Sequence, residues 1–195
     1  MKNFRDITDL MKRQQMPLPS QKVEIQIPAA EKILREALLH FLQAEGREMQ
    51  WLPEYEKVAG WLAGNRGKGL FLYGNCGRGK SLLCRYALPA IMLGYCRRVV
   101  SVFDTHQMNS NIDLVLSKHI ISIDDIGTED VSNVYGNRRM AFAEVMDAAE
   151  KHGKLLIISS NLPVEDIRNR YGDRVLDRIK STTMRVLFEG ESLRK

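Results

Sequence analysis

A chain of 195 residues, 44% hydrophobic and 27% charged, holds enough apolar material for one sizeable core, with room for an appended arm. Its formal net charge of +5 permits contact with nucleic acid, but on charge alone a solvated basic surface is the simpler account. Cys76, Cys84 and Cys96 form no CxxC pair and have no histidine at zinc spacing, which argues against a zinc module or a disulfide framework and fits a reducing cytoplasm.

The opening MKNFRDITDLMKRQQ has charge but no apolar h-region, so no secretory signal is expected, and no apolar run is long enough to span a membrane. The chain is therefore expected to be cytoplasmic. Pro17 and Pro19 predict an extended arm or linker over residues 1–27. From Pro28, the apolar residues Ile33, Leu34, Ala37, Leu38, Phe41 and Leu42 share one helical face, with Gly46 as a stop. A second helix starts at Pro53, turns Val58, Trp61 and Leu62 inward, and ends near Gly64; Trp51 and Trp61 are assigned to the core. These helices (28–64) lead into a core of alternating elements (69–195), the two together forming one domain (28–195).

From residue 69, apolar runs alternate with helical segments. Strands are predicted at 70–73, 99–103, 119–123, 155–159 and 184–188, and helices near 80–93, 137–152, 163–170 and 173–180. The rhythm predicts an α/β fold: a five-stranded, mostly parallel sheet with helices on both faces. Ligands in such sheets sit beyond the carboxyl ends of the strands.

Three of those strand ends suit one phosphate chain. The first runs into Gly74-Asn75-Cys76-Gly77-Arg78-Gly79-Lys80-Ser81, a full match to the Walker A pattern, whose amides, with Leu82 opening the helix, surround phosphate oxygens. Lys80 would reach the β- and γ-phosphates and Ser81 would ligate Mg²⁺. Cys76 and Arg78 occupy variable positions of the loop and receive no side-chain role. The third strand ends in Asp124-Asp125; buried carboxylates there need a cation or strong donors. Asp124 is placed to share Mg²⁺ with Ser81, while Asp125 either orients and deprotonates water or caps the turn at Gly127. The fourth ends at Asn161, whose amide can donate to a phosphate and accept from a water, or can simply form the turn before Pro163. A strand between the P-loop strand and the Asp124 strand is also expected, as in NTPases that activate water.

LFLYGNCGRGKS, ISIDDIG, IISSNLP and YGDRVLDRI, in that order, resemble the AAA+ ATPases of the DnaC/IstB type over roughly residues 50–195. The resemblance implies an AAA+ core without a C-terminal lid, ATP with Mg²⁺, and self-assembly into a ring or filament. It further implies work on single-stranded DNA, with a replicative helicase or a transposase as partner. It also marks Arg174 as the arginine inserted into a neighbour's site, with Arg178 the alternate and surface pairing with Asp173 and Asp177 the simpler account. Asp125 stands where many AAA+ proteins have Glu. The segment before HIISIDD is short for the family, and the N-terminal arm carries no metal-ligand spacing. Arg194 lies in a tail resembling the group's terminus. Arg97, Arg98, Lys118, Arg138 and Arg139 are basic without accompanying aromatics, so no DNA site is assigned. Competing readings are a nucleotide-gated scaffold with little turnover and a P-loop kinase, which would need an Arg-rich lid that the sequence does not show.

Overall fold

The computed structural model describes residues 3–128, 132–134 and 137–193, the segments 132–134 and 137–139 by backbone alone. Arg194 and the side chains of Arg138 and Arg139 therefore lie outside the described residues.

Helix α1 (Phe4–Arg13) starts at Asn3, whose side chain accepts from the Arg5 amide at 3.1 Å, and it buries no residue. The arm that follows is not unpacked to its end. Val23, Ile25 and Ile27 are buried while Glu24 and Gln26 face solvent. Asn65 holds this extended stretch: its Nδ2 donates to the Val23 carbonyl at 2.9 Å and its Oδ1 accepts from the Ile25 amide at 2.8 Å. The expectation of a linker through residue 27 is corrected on this point, because a period-two apolar stripe can be buried without belonging to a sheet.

Helix α2 (Ala30–Ala44) buries Leu34, Leu38 and Leu42, spaced at i, i+4 on one face. Helix α3 (Pro53–Ala63) places Pro at its first turn, where no amide bond is lost, and buries Glu54, Tyr55, Val58 and Trp61. Trp61 is core, with its Nε1 donating to the Lys68 carbonyl at 2.8 Å. Trp51 lies at the core's edge beneath the Arg35 guanidinium, 4.1 Å from the ring centroid.

Strand β1 (Gly69–Gly74) leads through the P-loop into a continuous helical stretch: α4 (Lys80–Leu82), a π-helical turn (Leu83–Ala87) and α5 (Leu88–Cys96). Strand β2 (Ser101–Asp104) begins later than predicted, since Val99 is exposed. Asp104 then caps α6 (Thr105–Ser110), accepting from the Gln107 amide at 2.7 Å. Helices α6 and α7 (Ile112–Ser117) occupy a segment where the sequence pattern predicts no helix. Strand β3 (Ile120–Ile126) is followed by a hairpin, β4 (Ser132–Val134) and β5 (Asn137–Arg139), and then α8 (Ala141–His152). The helix expected from 137 thus starts at 141. Strand β6 (Leu155–Ser160), α9 (Val164–Tyr171), α10 (Asp173–Thr182) and β7 (Thr183–Phe188) complete the described elements.

The main sheet has five parallel strands in the order β2-β3-β6-β1-β7. Strand β6 lies between β1 and β3, as expected from the strand pattern. Leu70, Leu72 and Ile157 face one core with α2, α3 and α5; Phe71, Leu156 and Ile158 face the other with α6 to α10. Burial on both faces explains why these strands read as unbroken apolar runs rather than alternating ones.

Candidate nucleotide site

The site forms where β1, β3 and β6 end. Gly74, Gly77 and Gly79 all have positive φ, at +113°, +75° and +87°. A Cβ on Gly79 would overlap the Tyr55 hydroxyl, and one on Gly74 the Phe188 carbonyl, so the loop's curl requires glycine at both positions.

The loop is clamped from outside. Glu54 and Arg78 are both buried; Arg78 Nε and Nη2 donate to Glu54 Oε1 at 3.1 and 2.9 Å, and the Glu189 amide donates to the same oxygen at 3.1 Å. Tyr55 donates to the Arg78 carbonyl at 3.2 Å, and burial, with the Glu54 charge adding to it, pushes its hydroxyl up to about 12. The residues after β7 lie along the loop: Asn75 Nδ2 donates to the Gly190 carbonyl at 2.9 Å and the Leu193 amide to the Gly77 carbonyl at 3.0 Å. Arg78 therefore belongs to the candidate phosphate-binding set through its backbone only, because its guanidinium is turned away and committed to Glu54.

Inside the clamp is a cleft of about 400 Å³ lined by Cys76, Gly77, Gly79, Lys80, Ser81, Leu82, Asp124, Asp125 and Asn161. Lys80 Nζ donates to the Gly74 and Asn75 carbonyls at 2.9 and 2.7 Å, and burial lowers its pKa.

The two aspartates are aimed by a bulge. Ile123 pairs with Ile158 but Ile126 pairs with Ser160, so β3 carries one residue more than β6 across this step. Asp125 takes up the extra length at φ +62°. Ser159 locks the bulge: its hydroxyl donates to Asp124 Oδ1 at 2.5 Å and accepts from the Asp125 amide at 2.8 Å. Asn161 Nδ2 donates to Asp125 Oδ1 at 2.6 Å, which brings the third strand end into contact with the second. On the far side, Arg85 Nη1 stands 3.6 Å from Asp124 Oδ2.

The donors suit a nucleoside polyphosphate with a hard divalent cation: a loop curled through three positive-φ glycines, a lysine within it, and a hydroxyl and a buried carboxylate lining the same cleft. Among the described residues no three His, Cys, Asp or Glu gather to hold a metal by themselves.

Arg174 and Arg178 lie outside the cleft, on α10. Arg178 is buried, paired with Asp147 and with Glu150 at 2.9 Å, whereas Arg174 is 74% exposed and 3.5 Å from Asp147. Arg97 and Arg98 are exposed where α5 ends, and Lys118 is half-buried.

Sequence reasoning missed Ser159, Glu54, Arg85 and the opposite wall of Glu45, Arg47 and Tyr86. A serine pair closing an otherwise apolar strand marks Ser159, and Arg85 follows Ser81 by one helical turn. Nothing local marks Glu54.

The sheet order, with β6 inserted between the P-loop strand and the aspartate strand, defines a P-loop α/β fold of the AAA+-like kind. The chain shares this fold with replication proteins. It is similar to DnaI (18% identity, 85% of this chain and 96% of that one, TM-score 0.56) and to the DnaC helicase loader (17% identity, 84% and 93%, TM-score 0.54). It is also similar to a primosome component from Streptococcus pyogenes serotype M3 (18% identity, 87% and 88%, TM-score 0.53) and, over less of the neighbour, to AMPPCP-bound DnaA from Aquifex aeolicus (21% identity, 70% and 46%, TM-score 0.50). No protein-family model matches the chain, and no curated protein matches it. Among the described residues no helix is long and apolar enough to cross a membrane.

Proposed function

We propose that the chain is a DnaC-type AAA+ ATPase that hydrolyses ATP to ADP and phosphate between adjacent copies, and that it acts on a replicative helicase or on single-stranded DNA. The observation that carries this reading is the convergence of Lys80, Ser81, Asp124, Asp125 and Asn161 on one cleft from three strand ends. Bound Mg²⁺-ATP brings the reacting γ-phosphoryl group and a hard cation that offsets its charge. The loop amides and the start of α4 hold phosphate oxygens, and Lys80 exchanges its loop carbonyls for them. Ser81 and Asp124 hold the cation. Asp125 accepts a proton from the attacking water while Asn161 fixes that carboxylate's direction.

Arg174 is the arginine offered to a neighbouring copy. Its exposure and its single long ion pair among the described residues leave the guanidinium able to leave at little cost, while Arg178 is buried against two carboxylates. Replication is favoured over transposition by the DnaI, DnaC and primosome neighbours. The test is phosphate release by the purified chain with and without single-stranded DNA. Activity that is lost in Lys80→Ala and Arg174→Ala and restored when the two are mixed supports a shared site; no hydrolysis in any assembled state rejects it.

The tie between Asp125 and Asn161 favours a second reading, a nucleotide-gated scaffold with little turnover. Under it, Asp125→Asn binds and assembles as the parent does, with no rate to lose.

A further inference from the structure

Asp124 is only 5% exposed, and a carboxylate in that position needs a donor or a cation at each oxygen. Oδ1 is met by the Ser159 hydroxyl at 2.5 Å. Lys80 directs two of its three N–H groups to the Gly74 and Asn75 carbonyls and, among the described residues, forms no ion pair with the other oxygen. The cation facing Oδ2 is Arg85, 3.6 Å away. Arg85 lies one helical turn beyond Ser81 and lines the same cleft. The Arg85 side chain is 44% exposed while that of Asp124 is 7% exposed, so the guanidinium reaches in from solvent and can retreat the same way.

Oδ2 is also the oxygen of Asp124 that remains for a divalent cation. We infer that Arg85 is a resident counter-cation of Asp124, competing for that oxygen and so setting the concentration at which the site takes up its metal. The inference rests on the nucleotide-binding reading of the cleft. Arg85 acts here as a positioning residue: it holds the carboxylate in place before loading and withdraws on loading. Its charge is then released at the mouth of the cleft, beside Tyr86 and the Glu45–Arg47 pair, which are bonded at 3.2 Å.

The test uses the full chain with a non-hydrolysable ATP analogue and Mn²⁺, reading bound metal from loss of the free-Mn²⁺ electron paramagnetic resonance signal. Arg85→Gln should lower the half-saturating Mn²⁺ concentration by about two- to fivefold, the range that one partly exposed ion pair supplies. Arg85→Lys, which keeps the charge, should stay nearer the parent. An unchanged or raised half-saturation in Arg85→Gln, or equal shifts in both variants, overturns the inference while leaving the nucleotide site standing. A parent chain that takes up no analogue at any Mn²⁺ concentration overturns the nucleotide-binding reading itself.

Discussion

Arg78→Ala should destabilise the chain far more than a change in a P-loop's variable position ordinarily would. Its guanidinium supplies two of the three donors that Glu54 Oε1 has among the described residues, and Glu54 Oε2 has no partner among them. The side chains are 10% and 8% exposed, so removing Arg78 leaves a carboxylate in a dry pocket with one amide for company. Breaking a buried pair from one side costs about 3–5 kcal/mol, which for a domain of this size lowers Tm by roughly 6–20 °C. Replacing both partners by apolar residues of similar volume removes the buried charge altogether. Glu54→Leu/Arg78→Met should therefore lie within about 2 kcal/mol of the parent, the remainder being the Glu189 amide and the Glu191 carbonyl that lose their partners. Urea unfolding of the parent, both single variants and the double variant gives the four corners of the cycle. A loss below about 1 kcal/mol in Arg78→Ala, or a double variant as unstable as the single, would refute the claim that the pair is a desolvated clamp.

Three further outcomes follow from the same geometry. Arg178→Ala should cost about 1–3 kcal/mol in urea unfolding, discounted from the fully buried case because Asp147 and Glu150 are 30% and 48% exposed, while Arg174→Ala should change stability by under about 1 kcal/mol. Tyr55 has its pKa raised from 10.0 to about 12, so the stability it contributes is whole below pH 10 and is lost as pH rises toward 12. Thermal scans across that window should show a loss of roughly 2–3 kcal/mol that Tyr55→Phe removes. Ser159→Ala deletes the bond to Asp124 and the acceptor of the Asp125 amide, and calorimetric titration should show weakened metal-dependent nucleotide binding alongside about 1–3 kcal/mol of lost stability.

The sequence by itself determined the sheet and the residues that its strand ends and P-loop bring to the cleft. Unbroken apolar runs such as Leu70-Phe71-Leu72 and Leu155 to Ile158 declare strands buried on both faces, and a residue's place at a strand's carboxyl end is a one-dimensional property. Lys80, Ser81, Asp124, Asp125 and Asn161 were therefore legible without coordinates. Short or boundary elements were not: Val23-Glu24-Ile25-Gln26-Ile27 has the alternation of a strand but pairs with none, being held by Asn65 some forty residues away. Only the tertiary structure decided which charges are spent and which remain available. Arg78 and Arg178 read like any surface arginine until Glu54, Asp147 and Glu150 are brought against them; Arg174, four residues from Arg178, stays in solvent. Asp124's partners were equally hidden, since Ser159 meets it only through a one-residue bulge between β3 and β6. The physical reason is common to all of these: what a charged side chain does depends on burial and on the nearest opposite charge, and both are set by contacts between segments distant in the chain.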